Sequence, residues 1–134
     1  SRGLGDVYKR QVLKLVEKTA NISPIQRKRK IEDINIGETV YAIGNPQGLG
    51  QSVSMGIISA IGRKFINKEG SFIQTDASIN PGNSGGALVD SNGNLLGVIN
   101  FIESTTGGNQ GLNFAIPIDV VSESYSKILK ETKR

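Results

Sequence analysis

The sequence contains no cysteine and no histidine. Without cysteine there is no disulfide framework, no thiol nucleophile and no thiolate metal site. Without histidine there is no imidazole base and no imidazole metal ligand. Acid–base chemistry that needs a histidine must therefore take it from outside these 134 residues. Tryptophan is absent too, and aromatic residues make up only 5% of the chain. No apolar run approaches the roughly 18 residues that a membrane-spanning helix requires. No group of carboxylates has the spacing of metal ligands, so neither metal nor cofactor is expected. Internal repeats and low-complexity tracts are also missing.

What is present points to a turn-rich β domain. There are 17 glycines, with 37% hydrophobic and 21% charged residues, a globular balance in a chain of single-domain length. The formal charge is +4. Part of that charge comes from residues 1–11, SRGLGDVYKRQ. This stretch has no apolar period, and its glycines break any helix. Codon for codon it reads as a transposase-type sequencing-library adapter, and it is set aside from the fold. Without Arg2, Lys9, Arg10 and Asp6 the remaining 123 residues carry 13 basic and 11 acidic groups, a net of +2. A nucleic-acid partner is therefore not expected. On this reading a DNA fragment ended at Val12, and the lack of a signal peptide carries no information.

Short β-prone runs then follow one another. Residues 12–16 (VLKLV) look like a strand, and the polar stretch 17–37, broken by Pro24, reads as a long connection. Six strands are expected after it, at 39–43, 51–61, 72–75, 87–90, 95–102 and 112–116. In the second of these Val53, Met55 and Ile57 fall on one face and Ser52 and Ser54 on the other. Gly56 in its middle predicts a bulge or a barrel corner. Asn92-Gly93 between apolar runs predicts a hairpin. Pro117 opens a helix, with Asp119 in its first turn and Val120, Val121, Tyr125, Ile128 and Leu129 at helical spacing. The whole predicts an all-β fold, a small antiparallel barrel or sandwich closed by a C-terminal helix.

The chemistry concentrates in QTDASINPGNSGGALV, residues 74–89. Gly82-Asn83-Ser84-Gly85-Gly86 sets a serine among glycines. Such residues permit positive φ and close approach of a substrate. Successive N–H groups in such a turn can form an anion-binding nest. A serine beside that nest suits acyl transfer, in which the hydroxyl attacks and the N–H groups hold the oxyanion. One alternative is an ordinary glycine-rich surface turn. The nucleophile elbow of α/β-hydrolases also matches Gly-x-Ser-x-Gly, but it needs a helix after the motif, and here a hairpin follows. A trypsin-like nucleophile loop, lying between antiparallel strands, fits the context.

The segment TDASINPGNSGGALVDSNGNLLGVIN closely resembles the nucleophile region of the HtrA (Deg) family of trypsin-like serine proteases. Tyr41-Ala42-Ile43-Gly44-Asn45-Pro46 with Gly48-Leu49-Gly50 resembles the family's AIGNP-x-G-x-G segment. Gly56-Ile57-Ile58-Ser59-Ala60 resembles its G-I-[IV]-S-A strand, and Asn113-Phe114-Ala115-Ile116-Pro117 its F-A-I-P entry to the last helix. The four motifs come in the family's order and span the chain from about Val12 to the C-terminal helix.

The resemblance implies a chymotrypsin-type fold of two six-stranded barrels, with residues 38–134 as the second barrel and its helix, and residues 12–37 as the end of the first barrel plus the connection. The catalytic histidine and aspartate of the family lie on the first barrel. Mapped here, the aspartate falls three residues before Val12, where Lys9 of the adapter-like stretch now stands. Ser84 is then the nucleophile. The N–H groups of Gly82 and Ser84, with Asn83, form the oxyanion hole. Asn83 replaces the aspartate with which digestive relatives pair a newly cut N-terminus, so activation by loop ordering is expected instead. Ser78 stands where trypsin carries its pocket aspartate, with Ile79 beside it. Asn100-Phe101-Ile102 matches the opposite pocket wall, and Ile102 replaces a glycine there. The implied pocket is shallow and apolar, although Phe101 and Ile102 suit a plain core role equally well.

Family resemblance further implies a protein-quality-control endopeptidase, acting on unfolded or peptide substrates, homo-oligomeric and periplasmic or otherwise extracytoplasmic. The alternative is a pseudoprotease that has lost its triad and only holds peptides. Arg27-Lys28-Arg29-Lys30, followed by Glu32 and Asp33, reads first as a solvated loop and second as an anionic-surface binder. Asp76, eight residues before Ser84 in the sequence, is expected to hold a structural hydrogen bond. Glu103 is expected to be solvated.

Overall fold

The computed structural model describes residues 23–45, 50–63, 72–100 and 113–132. The adapter-like stretch, residues 12–16, Phe101, Ile102 and Glu103 lie outside the described residues. Among the described residues there are six strands: β1 Thr39–Gly44, β2 Ser52–Arg63, β3 Phe72–Thr75, β4 Ala87–Asp90, β5 Leu95–Asn100 and β6 Asn113–Pro117. One helix follows, α1 Ile118–Thr132. Every pairing is antiparallel, and the strands close into a barrel in the order β1-β2-β3-β6-β5-β4.

The six strands expected after residue 37 and the helix are all there, with small shifts at the ends that the described residues cover. Pro117 closes β6 rather than opening the helix, because its fixed φ suits an extended strand end as well as a first helical turn. The expected bulge at Gly56 is not where β2 bends. Gly56 pairs regularly with Val40. The register instead shifts between Ile58 and Ala60 and again between Ile61 and Arg63. These irregularities bend β2 so that its first half pairs with β1 and its second half with β3.

The interior is aliphatic. Val40, Ala42, Ile58, Ile73, Ala77, Leu88, Leu96, Ile99 and Ala115 form one buried cluster with Ile34. A second, smaller cluster joins Phe72, Phe114 and Ile116 to Val120 and Val121 of α1. The two phenyl rings meet edge to face, with centroids 6.1 Å apart. The alternation in β2 points the opposite way from a buried apolar face. Val53, Met55 and Ile57 are exposed, Met55 to 67%, while Ile58 and Ala60 turn inward.

The basic run 27–30 is drawn into the fold. Its backbone runs parallel to the start of β5, the Arg29 N–H donating to the Leu95 carbonyl and the Leu95 N–H to that of Arg27. The Arg29 guanidinium bonds Glu38, the Asp33 carbonyl and, at 3.3 Å, the Asp90 carboxylate. Asp90 also accepts the N–H groups of Asn92 and Asn94 and the Asn94 amide. One buried carboxylate thus organises the β4–β5 turn and ties the connection to the barrel. At the other side of that connection Asp119 of α1 accepts the Ile31 N–H at 3.3 Å.

Burial works against the charge on Asp90 and is the largest single influence on it. The bonds from Asn94, Asn92 and Arg29 together outweigh it, so the carboxyl is held below its ordinary value. The fold therefore favours the ionised form. This contribution is complete above the unfolded carboxylate value of about 3.9 and drains away as pH falls through the lower folded value. Asp90→Ala is expected to lower unfolding stability by about 1–3 kcal/mol, since it orphans several donors. Urea melts of the wild type and Asp90→Asn should differ at neutral pH and converge as the pH falls below about 4.

Candidate active site

In the ring order β3 and β4 stand opposite each other. The chain linking them, residues 76–86, cannot be a simple hairpin. From the end of β3 it follows the first half of β2 and then meets the end of β1. The serine motif lies on this path. Ala77 is fully buried in the main cluster, and Ile79 packs against that cluster from a half-buried position. A 3-10 turn, Pro81–Asn83, brings the chain to Ser84.

Asn80 governs this turn. Its side-chain Oδ1 accepts the Gly82 N–H at 3.0 Å, and its carbonyl accepts the Asn83 N–H at 2.9 Å. The dipeptide Asn80-Pro81 is a turn-initiating signal that could have identified this bracket from the sequence. Two of the three N–H groups assigned to the oxyanion hole are thus held by Asn80 in this arrangement. Beyond the turn, the Gly85 N–H donates to the Ile99 carbonyl at 2.7 Å and the Ile99 N–H to the Gly86 carbonyl at 2.8 Å. These bonds run the β4–β5 ladder back to within one residue of Ser84. Gly85 adopts φ +91°, a conformation that lets the chain leave Ser84 and enter β4.

The loop is seated by close approach to β1. A Cβ on Gly86 would collide with the Ile43 carbonyl, and one on Gly44 with the side chain of Asn83. Asn83 is buried, and its Oδ1 has no hydrogen-bond partner among the described residues. Gly44 of β1 thus lies directly against the Asn83 side chain of the serine motif.

Ser84 is exposed, as are Ser78 and Gly82. The structure therefore presents the expected nucleophile at the surface, two residues from Gly82 and on the same connection as Ser78. The Ser78 carbonyl accepts a hydrogen bond from the Ser54 hydroxyl at 2.8 Å. Asn100 ends β5 opposite Phe114, and its buried Nδ2 finds no partner among the described residues. Asp76 holds the structural hydrogen bond expected of it, its Oδ1 accepting the Ile57 N–H at 2.8 Å. Three or more grouped acidic ligands that could hold a metal do not occur among the described residues.

Comparison with known proteins agrees with this fold. Residues 11–98 match the family model of the trypsin-like peptidase domain. The serine endoprotease DegS of Haemophilus influenzae is 46% identical over 134 aligned residues, covering 96% of this chain and 38% of the relative. The periplasmic serine endoprotease DegP of Escherichia coli K12 is 50% identical over 99 residues, covering 72% of this chain and 21% of DegP. A solved structure, the HtrA-type protease AlgW with a decapeptide, superposes with a TM-score of 0.69 at 51% identity, over 78% of this chain and 33% of AlgW. The chain thus spans well under half the length of each of these relatives. Its barrel order, its serine loop and these matches together place it in the trypsin-like peptidase family, among the HtrA (Deg) proteases.

Proposed function

We propose that this chain supplies the nucleophile-bearing barrel, the second of two, of a serine endopeptidase that acts on unfolded or peptide substrates. The observation that carries the reading is the setting of Ser84. It is exposed and glycine-flanked, on a loop fixed on one side by Asn80 and on the other by Ile99. Such fixing is what a nucleophile needs, because catalysis depends on the attacking atom being held in place before the reaction starts. The Ser84 Oγ would attack a scissile carbonyl carbon while an imidazole on the first barrel takes its proton. The tetrahedral intermediate would then expel the amine, which receives that proton, and water would hydrolyse the acyl-serine. The Gly82 N–H can stabilise the oxyanion only by exchanging Asn80 Oδ1 for the substrate oxygen. That exchange agrees with activation by loop ordering. A periplasmic setting is supported by the name of the DegP relative, and peptide substrates by the decapeptide bound to AlgW. Oligomer formation follows only from the family resemblance.

The second reading, a non-catalytic peptide-binding module, draws on one observation: Gly82 and Asn83 both spend their N–H groups on Asn80. The readings part on whether the upstream sequence of the full protein carries the histidine and aspartate.

Two outcomes are expected. The 134-residue chain alone, having no histidine, should not cleave casein. A serine at its ordinary pKa is a weak nucleophile without an adjacent base. Robust casein cleavage that disappears in Ser84→Ala would contradict this.

The protease with its upstream barrel should cleave after Val, Ala or Ile and reject Arg and Lys, because Ser78 offers no counter-charge. An unpaired buried cation costs several kcal/mol, whereas one methylene in an apolar pocket changes discrimination by ~1–3 kcal/mol. A peptide library, with Ser84→Ala as blank, reads the preference directly. Dominant cleavage after basic residues would remove Ser78 from the pocket.

A further inference from the structure

β3 stops at Thr75, opposite Ile58 in the middle of β2. The Ile58 N–H points to the β1 side and bonds the Glu38 carbonyl. Successive N–H groups of a strand point to opposite sides, so that of Ile57 faces the side where β3 has just ended. Among the described residues no strand remains there to receive it. The Asp76 carboxylate takes the place of the missing carbonyl and accepts the Ile57 N–H at 2.8 Å. The Ile57 carbonyl, on the same side, accepts the Thr75 hydroxyl at 2.7 Å and the Asp76 N–H at 3.3 Å. Thr75 Oγ1 in turn accepts the Ala77 N–H at 3.1 Å.

The next residues are gripped as well. The Asn113 amide donates to the Ala77 carbonyl at 2.9 Å, and the Ser54 hydroxyl to that of Ser78. Gly56 lies beneath this stretch. A Cβ there would strike the Asp76 carboxylate and the Ala77 backbone. The closeness of this contact is what leaves Gly56 without a side chain. Asp76 itself is exposed. Its removal would open no cavity, yet it would free the point where the chain turns from β3 towards Ser78.

We propose that Asp76 is a positioning residue for the substrate pocket: by capping β2 at Ile57 it fixes the path of residues 76–78, and with it the place of Ser78 relative to Ser84. This rests on the reading of Ser84 as nucleophile and Ser78 as pocket lining. A charge-assisted bond to a backbone N–H is strong enough to hold such a turn. A displacement of about 1 Å in a substrate-positioning element can cost about a hundredfold in rate.

The test uses the full-length protease with three variants, Asp76→Ala, Asp76→Asn and Ser84→Ala. The readouts are kcat/KM on a peptide with valine before the scissile bond, the rate of Ser84 labelling by a small alkyl fluorophosphonate, and the melting temperature. Asp76→Ala should lower peptide kcat/KM about 10- to 100-fold. Fluorophosphonate labelling, which does not use the pocket, should stay within about threefold, and the melting temperature should barely move. Asp76→Asn keeps an Oδ1 acceptor and should recover most of the peptide activity. Asp76→Ala with wild-type peptide kcat/KM overturns the proposal. So does Asp76→Asn behaving like Asp76→Ala, or a parallel fall of labelling, melting temperature and cleavage. Retention of labelling and cleavage by Ser84→Ala would instead overturn the nucleophile reading, and this proposal with it.

Discussion

The contact between the serine loop and the end of β1 leaves no room for a side chain, and the site depends on that restriction. Closing six strands in the order β1-β2-β3-β6-β5-β4 places β3 and β4 on opposite sides of the ring. The link between them must therefore lie against other strands. Where it reaches β1, Gly86 sits on the Ile43 carbonyl and Gly44 on the Asn83 side chain. A single methyl at either point would push the loop away. The ladder bonds from Gly85 and Gly86 to Ile99 would then lose their geometry, and Ser84 its fixed position.

Much of this was legible in the sequence. The strand runs, the hairpin at Asn92-Gly93 and the helix after Pro117 follow from local period and turn chemistry, and they hold because no tertiary demand opposes them. The serine loop was legible as a motif, and the motifs around it gave the family. Gly56 was misleading. A glycine inside a strand signals either a bulge or a close neighbour, and local sequence does not separate the two. The neighbour is Asp76-Ala77, some twenty residues further along, and it is the pairing of β2 with β3 that brings them together. The bends in β2 lie elsewhere, around Ser59 and Gly62, where the strand changes partners. The bracket made by Asn80 was legible in principle, since Asn-Pro marks a turn. The identity of the N–H groups it engages was not, because that depends on how the turn is wound.

The charged run illustrates the same divide. From composition alone, residues 27–30 read as a solvated loop. Lys28 and Lys30 are exposed in keeping with that, but Arg29 is turned inward onto Glu38 and Asp90. Period and charge pattern do not distinguish the one arginine with a buried partner from its neighbours. The distinction arises from Asp90, which burial would leave costly if only the turn N–H groups answered its charge. The resulting tie sits at the end of β4 remote from Gly86, so the forces that anchor the connection and those that shape the serine loop act on opposite ends of one short strand.

The two faces of β2 answer to different demands. Ile58 and Ala60 face the interior, where volume and shape are constrained by their neighbours. Val53, Met55 and Ile57 face outward, away from the clusters that fill the barrel, so packing of that interior does not require them to be apolar. A library randomising the inward positions would be sorted by folding. One randomising the outward positions of the same strand would be sorted by solubility and self-association, and hydrophilic replacements there should survive selection for a folded barrel.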